Sequence, residues 1–487
     1  THDSDAVQTR AHGHRESGSR PGEWVTVADP KNLGRSPSNH GAGREAMNIL
    51  LIYPRWNYPT FGQLQEPLGL MHLGAVLKAH GDAVQFFDLA VDAIERVDEA
   101  LTDADLVCMS SSTVLFGRAG LVLDRIKAKR SDLPVIIGGP HATLLPEEAV
   151  LRGFDAAAIG EGEYTIIDLV EAIQKGAPLH QVTGVAAMKG DKVAFGPHRE
   201  FEPNLDVFPD PDRTLIDYSK YFTKDIEFVG MMATRGCPYK CLFCKPMLDK
   251  MHGFKVRRRS QRRIAQEMAN IANSIGHKRF LFKDDTLALG GVEYFVEFER
   301  ELAAAGLPDS GWVCQARVDQ MTPALIEQMK KCGLEAIAFG VESGSQKVLD
   351  FYRKGINVEQ TIKAFDLCHE HGVGTLAFVM LGAPVETRED LESTVKLIER
   401  IRPKSLSFSI ATPGPGNALH EYAIENELRS VTSVEGNDYQ FNTHPIKLSL
   451  VTAKDLSWAA KAILNAVPNT YFKEDLLARA ERLAGEA

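Results

Sequence analysis

Residues 231–246 read MMATRGCPYKCLFCKP, and Cys237, Cys241 and Cys244 fall within eight residues of one another. The whole chain of 487 residues has only seven cysteines, so this stretch concentrates soft ligands. Thiolates gathered in this way hold zinc or an iron–sulfur cluster. Three of them leave one coordination position open. On zinc that position would take water, as in catalytic sites. On a 4Fe–4S cluster it would leave one iron without a protein ligand, free for a substrate or cofactor. Structural zinc sites usually pair two CxxC-like hooks, and no second hook exists here. Cys108, Cys314, Cys332 and Cys368 are isolated, as small buried hydrophobes usually are.

The cysteine stretch follows the first strand of an alternating run. Strand-like segments are FVGMMATRG, KRFLFKDD, GWVCQARVD, LEAIAFGVES, GTLAFVMLGAP and SLSFSIATP. Helical segments such as RRIAQEMANIANSIG and VEQTIKAFDLCHEHG lie between them. Six strand–helix units predict a partial (β/α)6 barrel of parallel strands, related to a TIM barrel, with its site at the strands' C-terminal ends. A mainly helical region closes the chain from about Thr452.

The N-terminal half alternates too. NILLIYP, AVQFFDLA, ADLVCMSSS, PVIIGGP and AAAIGEGE read as strands, with a helix over Leu68–His80 closed by Gly81. This predicts a doubly wound, Rossmann-like parallel sheet, whose ligand lies outside the carboxyl ends of the strands. Small and polar residues collect at those ends: Ser110, Ser111, Ser112 and Thr113; Gly138, Gly139, Pro140 and His141; Gly160, Glu161, Gly162 and Glu163. Glycines permit close backbone approach and hydroxyls offer hydrogen bonds. GVAAMKGDKVAFG reads as a hairpin turning at Gly190–Asp191, and the stretch holding Pro203, Pro209 and Pro211 reads as a linker.

Composition sets outer limits. With 55 basic and 65 acidic residues the formal net charge is −10, which disfavours a general nucleic-acid or acidic-membrane binder. No apolar run approaches a membrane span, and no secretory pattern is seen. Seven cysteines, three of them crowded, are not a disulfide framework, so a reducing cytoplasm is the expected location. The polar first forty-odd residues read as a flexible tail, with Met47 a candidate natural start.

The cysteine spacing, in its place after the first barrel strand, resembles the radical S-adenosylmethionine (SAM) enzymes. The resemblance implies that Cys237, Cys241 and Cys244 hold a catalytic 4Fe–4S cluster, next to Phe243, and that SAM chelates the fourth iron. Asp284 and Asp285 stand where that family binds the SAM amino group; its common motif there is Gly-Gly-Glu, from which this chain departs. Gln315 and Arg317 end the third strand, with Arg317 the implied partner of the SAM carboxylate. Glu342 and Ser343, within Gly340–Ser345, resemble a motif of one large branch and imply contact with SAM.

The first half resembles the cobalamin-binding domain that precedes the barrel in one subgroup, through Glu66–Leu70, Gly139–Thr143 and Gly160–Glu163. The implied organisation is a tail over 1–46, a cobalamin domain over 47–182, hairpin and linker over 183–226, the barrel over 227–430 and a helical region over 431–487. The Asp-x-His-x-x-Gly motif of other cobalamin proteins is absent, so no histidine ligand to cobalt is expected. His72, His80 and His141 are poor candidates, and Val114, Leu115, Phe116, Arg55 and Trp56 are the residues considered for covering the lower face.

The resemblance implies a C-methyltransferase. An electron from a donor such as flavodoxin or ferredoxin cleaves SAM to a 5′-deoxyadenosyl radical. That radical takes hydrogen from an unactivated carbon of a small metabolite, and methylcobalamin supplies the methyl group. A cyclisation, ring rearrangement or oxidation without methyl transfer uses the same cofactors. A methylthiotransferase fits less well, because the first half holds only Cys108. A non-catalytic cobalamin sensor has no need of an open-iron cluster.

Overall fold

The computed structural model describes residues 45–55, 64–222, 228–428 and 450–485. The tail expected before Met47 lies outside the described residues apart from its last two positions, and Trp56 lies outside them altogether.

The first sheet begins with β1 (Asn48–Tyr53), where Ile49, Leu50, Leu51 and Ile52 are all buried. A strand sends alternate side chains to opposite faces. Leu50 and Ile52 join one core with Val107, Ile137 and Phe116, while Ile49 and Leu51 join a second with Leu77, Leu106 and Ile136. With both faces covered, the run is continuously apolar rather than alternating. The strands β2 (Ala83–Asp88), β3 (Leu106–Ser110), β4 (Val135–Gly138) and β5 (Ala156–Ala158) extend it in the parallel order β2-β1-β3-β4-β5. The helix Leu68–His80 ends as its sequence predicts, with Gly81 in the left-handed conformation. The predicted hairpin forms as β6 (Val185–Lys189) and β7 (Lys192–Phe195), and β6 pairs antiparallel with β5. It is thus part of the first sheet.

The second sheet is parallel throughout, in the order β15-β14-β13-β12-β11-β8: β8 (Val229–Met231), then, past the two-residue strands β9 (Thr234–Arg235) and β10 (Arg257–Arg258), β11 (Arg279–Phe282), β12 (Gly311–Ala316), β13 (Leu334–Glu342), β14 (Gly374–Leu381) and β15 (Ser405–Ile410). β8 and β15 are its two edges, so the sheet is an open half-barrel. Phe280, Phe282, Trp312, Cys314, Phe339, Val379 and Phe408 pack outward into one core with the helices. The opposite face carries Leu281, Val313, Gln315, Ala338, Gly340 and Ser407, all more accessible than their neighbours. Cys314 is on the helix-covered side, buried as an isolated cysteine usually is.

The segment expected to be a linker is an ordered strap. Asn204, Asp212 and Asp217 each accept a hydrogen bond from the amide two residues on and start three short 3-10 turns. Lys78 pairs with Asp212 at 2.6 Å and the Tyr221 hydroxyl donates to Asp88 at 2.8 Å, tying the strap to the first domain. Arg213 pairs with Glu267 at 2.6 Å, and Arg259 and Arg263 reach Asp210 at 2.6 and 2.7 Å, tying it to the second.

Glu66 completes the junction. Its carboxylate accepts from the Gly230 amide of β8 and faces Lys283 at 3.1 Å and Arg213 at 4.0 Å. A side chain at Gly230 would collide with Lys283, 2.6 Å from the added carbon. Burial alone would raise the Glu66 pKa; Lys283 and Arg213 outweigh it and hold the carboxylate below its usual range. Removing one partner of a buried ion pair leaves the others uncompensated, at a cost of about 3–5 kcal/mol. Glu66→Ala should destabilise the chain by about that amount, and Glu66→Gln by less because it still accepts from Gly230; denaturant unfolding of the three proteins checks this.

Candidate functional site

The cysteine loop leaves β8 at its C-terminal end and is held from four sides. Asp284, after β11, accepts from the Ala233 amide at 2.9 Å and from the Thr234 amide. The Leu242 amide donates to the Tyr352 carbonyl at 2.8 Å. Lys245 Nζ reaches back to the Cys237 carbonyl at 2.7 Å. From the far end of the sheet, the Ala418 amide donates to the Lys245 carbonyl at 2.7 Å and Pro246 bridges to Asn417. Within the loop the Cys244 and Lys245 amides both donate to the Cys241 carbonyl, at 3.1 and 3.0 Å.

All three thiols are free, with Cys241 buried and Cys237 and Cys244 half-buried. Burial raises the pKa of Cys237, and burial and the neighbouring Cys241 push Cys244 up to about 12. Without a metal, burial thus favours the protonated thiol at Cys237 and Cys244, and metal binding is what turns such thiols into thiolates. Among the described residues no His, Cys, Asp or Glu side chains converge at the spacing of a single-ion site. Three free thiols spread along one clamped loop fit a multi-iron cluster better than a lone zinc ion.

Several of the expected SAM-contacting residues are already engaged by protein groups. Asp284 is fully buried and braces the loop backbone; burial pushes its pKa up to about 6. Asp285 is exposed, and its charge is felt by Cys237. Gln315 is exposed on the open face of β12. Arg317 is buried, pairs with Asp319 at 2.9 Å and donates to the Lys354 carbonyl at 2.7 Å. Glu342, with a left-handed φ of 60°, pairs with Lys354 at 2.7 Å. A Cβ on Gly340 would meet both of their charged ends, at 2.5 and 2.6 Å. Ser343 bonds to the Thr394 hydroxyl at 3.1 Å and caps the Ser345 amide. Phe243 meets the Tyr352 ring edge-on at 5.2 Å, with Lys354 Nζ 5.6 Å from its centroid. Lys354 and Tyr352 were not singled out in the sequence; neither sits in a motif.

In the first domain, the ends of β3 and β4 are laced together. The Ser111 amide donates to the Gly138 carbonyl and the His141 amide to the Ser111 carbonyl, at 3.1 and 3.0 Å. Ser110, Ser112, Thr113, Gly139 and Pro140 lie in the same turn cluster. His141 is fully buried, stacked on Phe116 with ring centroids 3.7 Å apart, and burial lowers its pKa to about 4. His72 faces the Pro209 carbonyl at 3.3 Å and His80 pairs with Asp82. Arg55 pairs with Asp88, and Leu115 and Phe116 are buried.

Glu161 and Glu163 differ from expectation. Arg257 reaches Glu161 and Arg235 reaches Glu163, both at 2.5 Å. Burial raises both pKa values, and the guanidinium groups outweigh it and lower them. These carboxylates join the two domains, with Gly162 between them. Burial made them poor free ligands; the arginines of the barrel made them ion pairs.

Residues 231–398 match the family described as the Radical SAM superfamily, and residues 58–170 match the B12 binding domain. An uncharacterized methyltransferase of Pyrococcus horikoshii is 30% identical over 446 residues, covering 89% of this chain and 94% of that protein. This chain belongs to the cobalamin-binding radical SAM enzymes. Its cofactors are accordingly a 4Fe–4S cluster, SAM and cobalamin. The anaerobic magnesium-protoporphyrin IX monomethyl ester cyclase of Cereibacter sphaeroides is 26% identical, over 88% of this chain and 71% of that one. The radical SAM methyltransferase TsrM from Kitasatospora setae shares the fold, with a TM-score of 0.67 at 19% identity over 79% of this chain and 78% of that one.

At the end of β14, Glu386 is fully buried and accepts from the Gly382 and Ala383 amides through Oε2, while Oε1 has no partner. Burial raises its pKa to about 7, the two amides working the other way. The folded state therefore holds this proton more tightly than the unfolded chain. Stability from it is full below about pH 4.5 and is lost as pH rises through about 7. Glu386→Gln keeps the acceptor and removes the ionisation. Its stability relative to the parent should rise between pH 5 and pH 8, as read from urea unfolding at both.

Proposed function

We propose that the protein is a cobalamin-dependent radical SAM C-methyltransferase acting on an unactivated carbon of a small molecule. The observation that carries this reading is the clamped three-thiol loop, set at the strand ends of a half-barrel and joined by buried ion pairs to a B12 binding domain. The similarity to a methyltransferase along most of both chains supports methyl transfer.

In this reading Cys237, Cys241 and Cys244 hold the cluster. Bound together, the cofactors supply one-electron cleavage of SAM and a transferable methyl group. The chain's own residues position and enclose them. Asp284 and Tyr352 fix the loop that carries the thiols. Asp285 and Gln315, exposed beside it, are the open polar groups for SAM, and Glu342 and Ser343 shape the turn behind them. The β3 and β4 turns, with Ser110–Thr113 and Gly138–His141, form the cobalamin crevice. His141, buried and stacked on Phe116, would line that crevice, and in this reading cobalt would be held without a protein histidine. The electron donor is a flavodoxin or ferredoxin, the location is the cytoplasm, and nucleic acid is not a partner. Among the described residues no helix is long and apolar enough to cross a membrane.

Cyclisation without methyl transfer is the second reading, supported by the likeness to the anaerobic cyclase. Anaerobically reconstituted protein should bind iron, sulfide and a corrinoid, form 5′-deoxyadenosine under reduction, and move isotope label from the SAM methyl group to the corrinoid. Cys241→Ala should lose the cluster and SAM cleavage together. Cleavage retained in that variant, or a parent that takes up no corrinoid, would sink the proposal; a corrinoid that never accepts label would favour cyclisation.

A further inference from the structure

Cys241 differs from the other two thiols in what faces it. Arg317 Nη1 lies 3.8 Å from its sulfur. The rest of this guanidinium is taken. Nε and Nη2 bind Asp319 at 3.0 and 2.9 Å, and Nη2 also donates to the Lys354 carbonyl at 2.7 Å. The guanidinium carbon stacks 3.7 Å from the centroid of the Tyr239 ring. The Tyr239 hydroxyl in turn bonds to Gln320 Nε2 at 3.1 Å, and Gln320 Oε1 accepts from the Arg317 amide at 3.3 Å. The plate is thus held on its face and on one edge. Only the Nη1 edge is left, and it is turned to the sulfur.

The geometry does not suit the part implied for Arg317 by resemblance. A bidentate grip on a SAM carboxylate needs the fork of the guanidinium, and Asp319 occupies it. A donor aimed at a ligand sulfur acts differently. It stabilises negative charge on that sulfur, and reduction adds negative charge to the cluster, so the reduced form gains more. Arg317 is only 6% exposed, so water and salt screen the contact little.

We propose that Arg317 is a positioning residue of the cluster: it donates to the Cys241 thiolate and raises the cluster's midpoint potential, with no part taken by SAM. The inference rests on the cluster assignment made above. The tyrosine ring and Asp319 hold the guanidinium in place for that contact, and the tie to Lys354 links it to the Glu342 pair on β13.

The test uses the full chain, reconstituted without oxygen and without SAM. Iron and sulfide content are measured, and the midpoint potential is read by EPR-monitored titration, for the parent, Arg317→Met and Arg317→Lys. Arg317→Met should keep the parent's iron content and reduce at a more negative potential. Arg317→Lys keeps the charge without the planar fork and should fall between. A variant with full iron content and an unchanged potential overturns the proposal. So does an unchanged potential with weakened SAM binding, which would return Arg317 to the carboxylate. Loss of the cluster in both variants would make Arg317 a loop-folding residue and overturn it too. A parent with no 4Fe–4S signal would instead overturn the cluster assignment itself, a result distinct from any of these.

Discussion

Glu66, Glu161 and Glu163 all lie beyond the carboxyl ends of strands in the first sheet; Lys283 follows β11 of the second, and Arg235 and Arg257 lie in the short antiparallel β9–β10 pair that comes after β8. Pairing them turns the C-terminal edges of two parallel sheets toward each other. That is the edge at which each kind of sheet binds its ligand. Buried ion pairs are seldom a net source of stability, because desolvation offsets most of the attraction. Their effect here is on register. A shifted docking would strand several charges in a low-dielectric junction, so alternative arrangements are penalised heavily. The strap adds to this: Tyr221 and Asp212 hold it to one domain, and Arg213 and Asp210 to the other.

The cysteine loop depends on the same edge. The positions of its three thiols are set from elsewhere: Asp284 after β11, Arg317 after β12, Tyr352 and Lys354 beyond β13, and Asn417 and Ala418 beyond β15. Strand ends across the half-barrel therefore converge on the stretch from Ala233 to Pro246. A loop with so many distant partners is rigid before any metal arrives, which suits a centre that must hold cofactors at a set distance from substrate. It also explains why carboxylates and a guanidinium near the cluster are largely paired with protein groups. An unpaired charge at such depth is costly.

Much of this was legible in the chain itself. The helix Leu68–His80, the hairpin at Gly190–Asp191 and the helical region from about Thr452 follow from local patterns and form where those patterns place them. The strand–helix alternation announced both sheets. The spacing of Cys237, Cys241 and Cys244 was legible as a candidate cluster site, because ligand type and an open position are properties of residues close in sequence. The strap is not legible, since prolines signal a turn or spacer equally well and only the Asn- and Asp-capped turns packed between two domains distinguish it. Glu161, Glu163 and Arg317 stand in motifs that point to cofactors, and the protein partner that the fold gives each is not legible there.

The division has a physical cause. Backbone periodicity, turn chemistry and the crowding of thiols act over a few residues, so the linear chain determined the two α/β domains and the three-cysteine site. Charge pairing acts between residues far apart in sequence, such as Glu66 and Lys283 or Arg317 and Cys241. Which carboxylates stay open and which are tied up was decided only when the tertiary structure brought those charges within bonding distance.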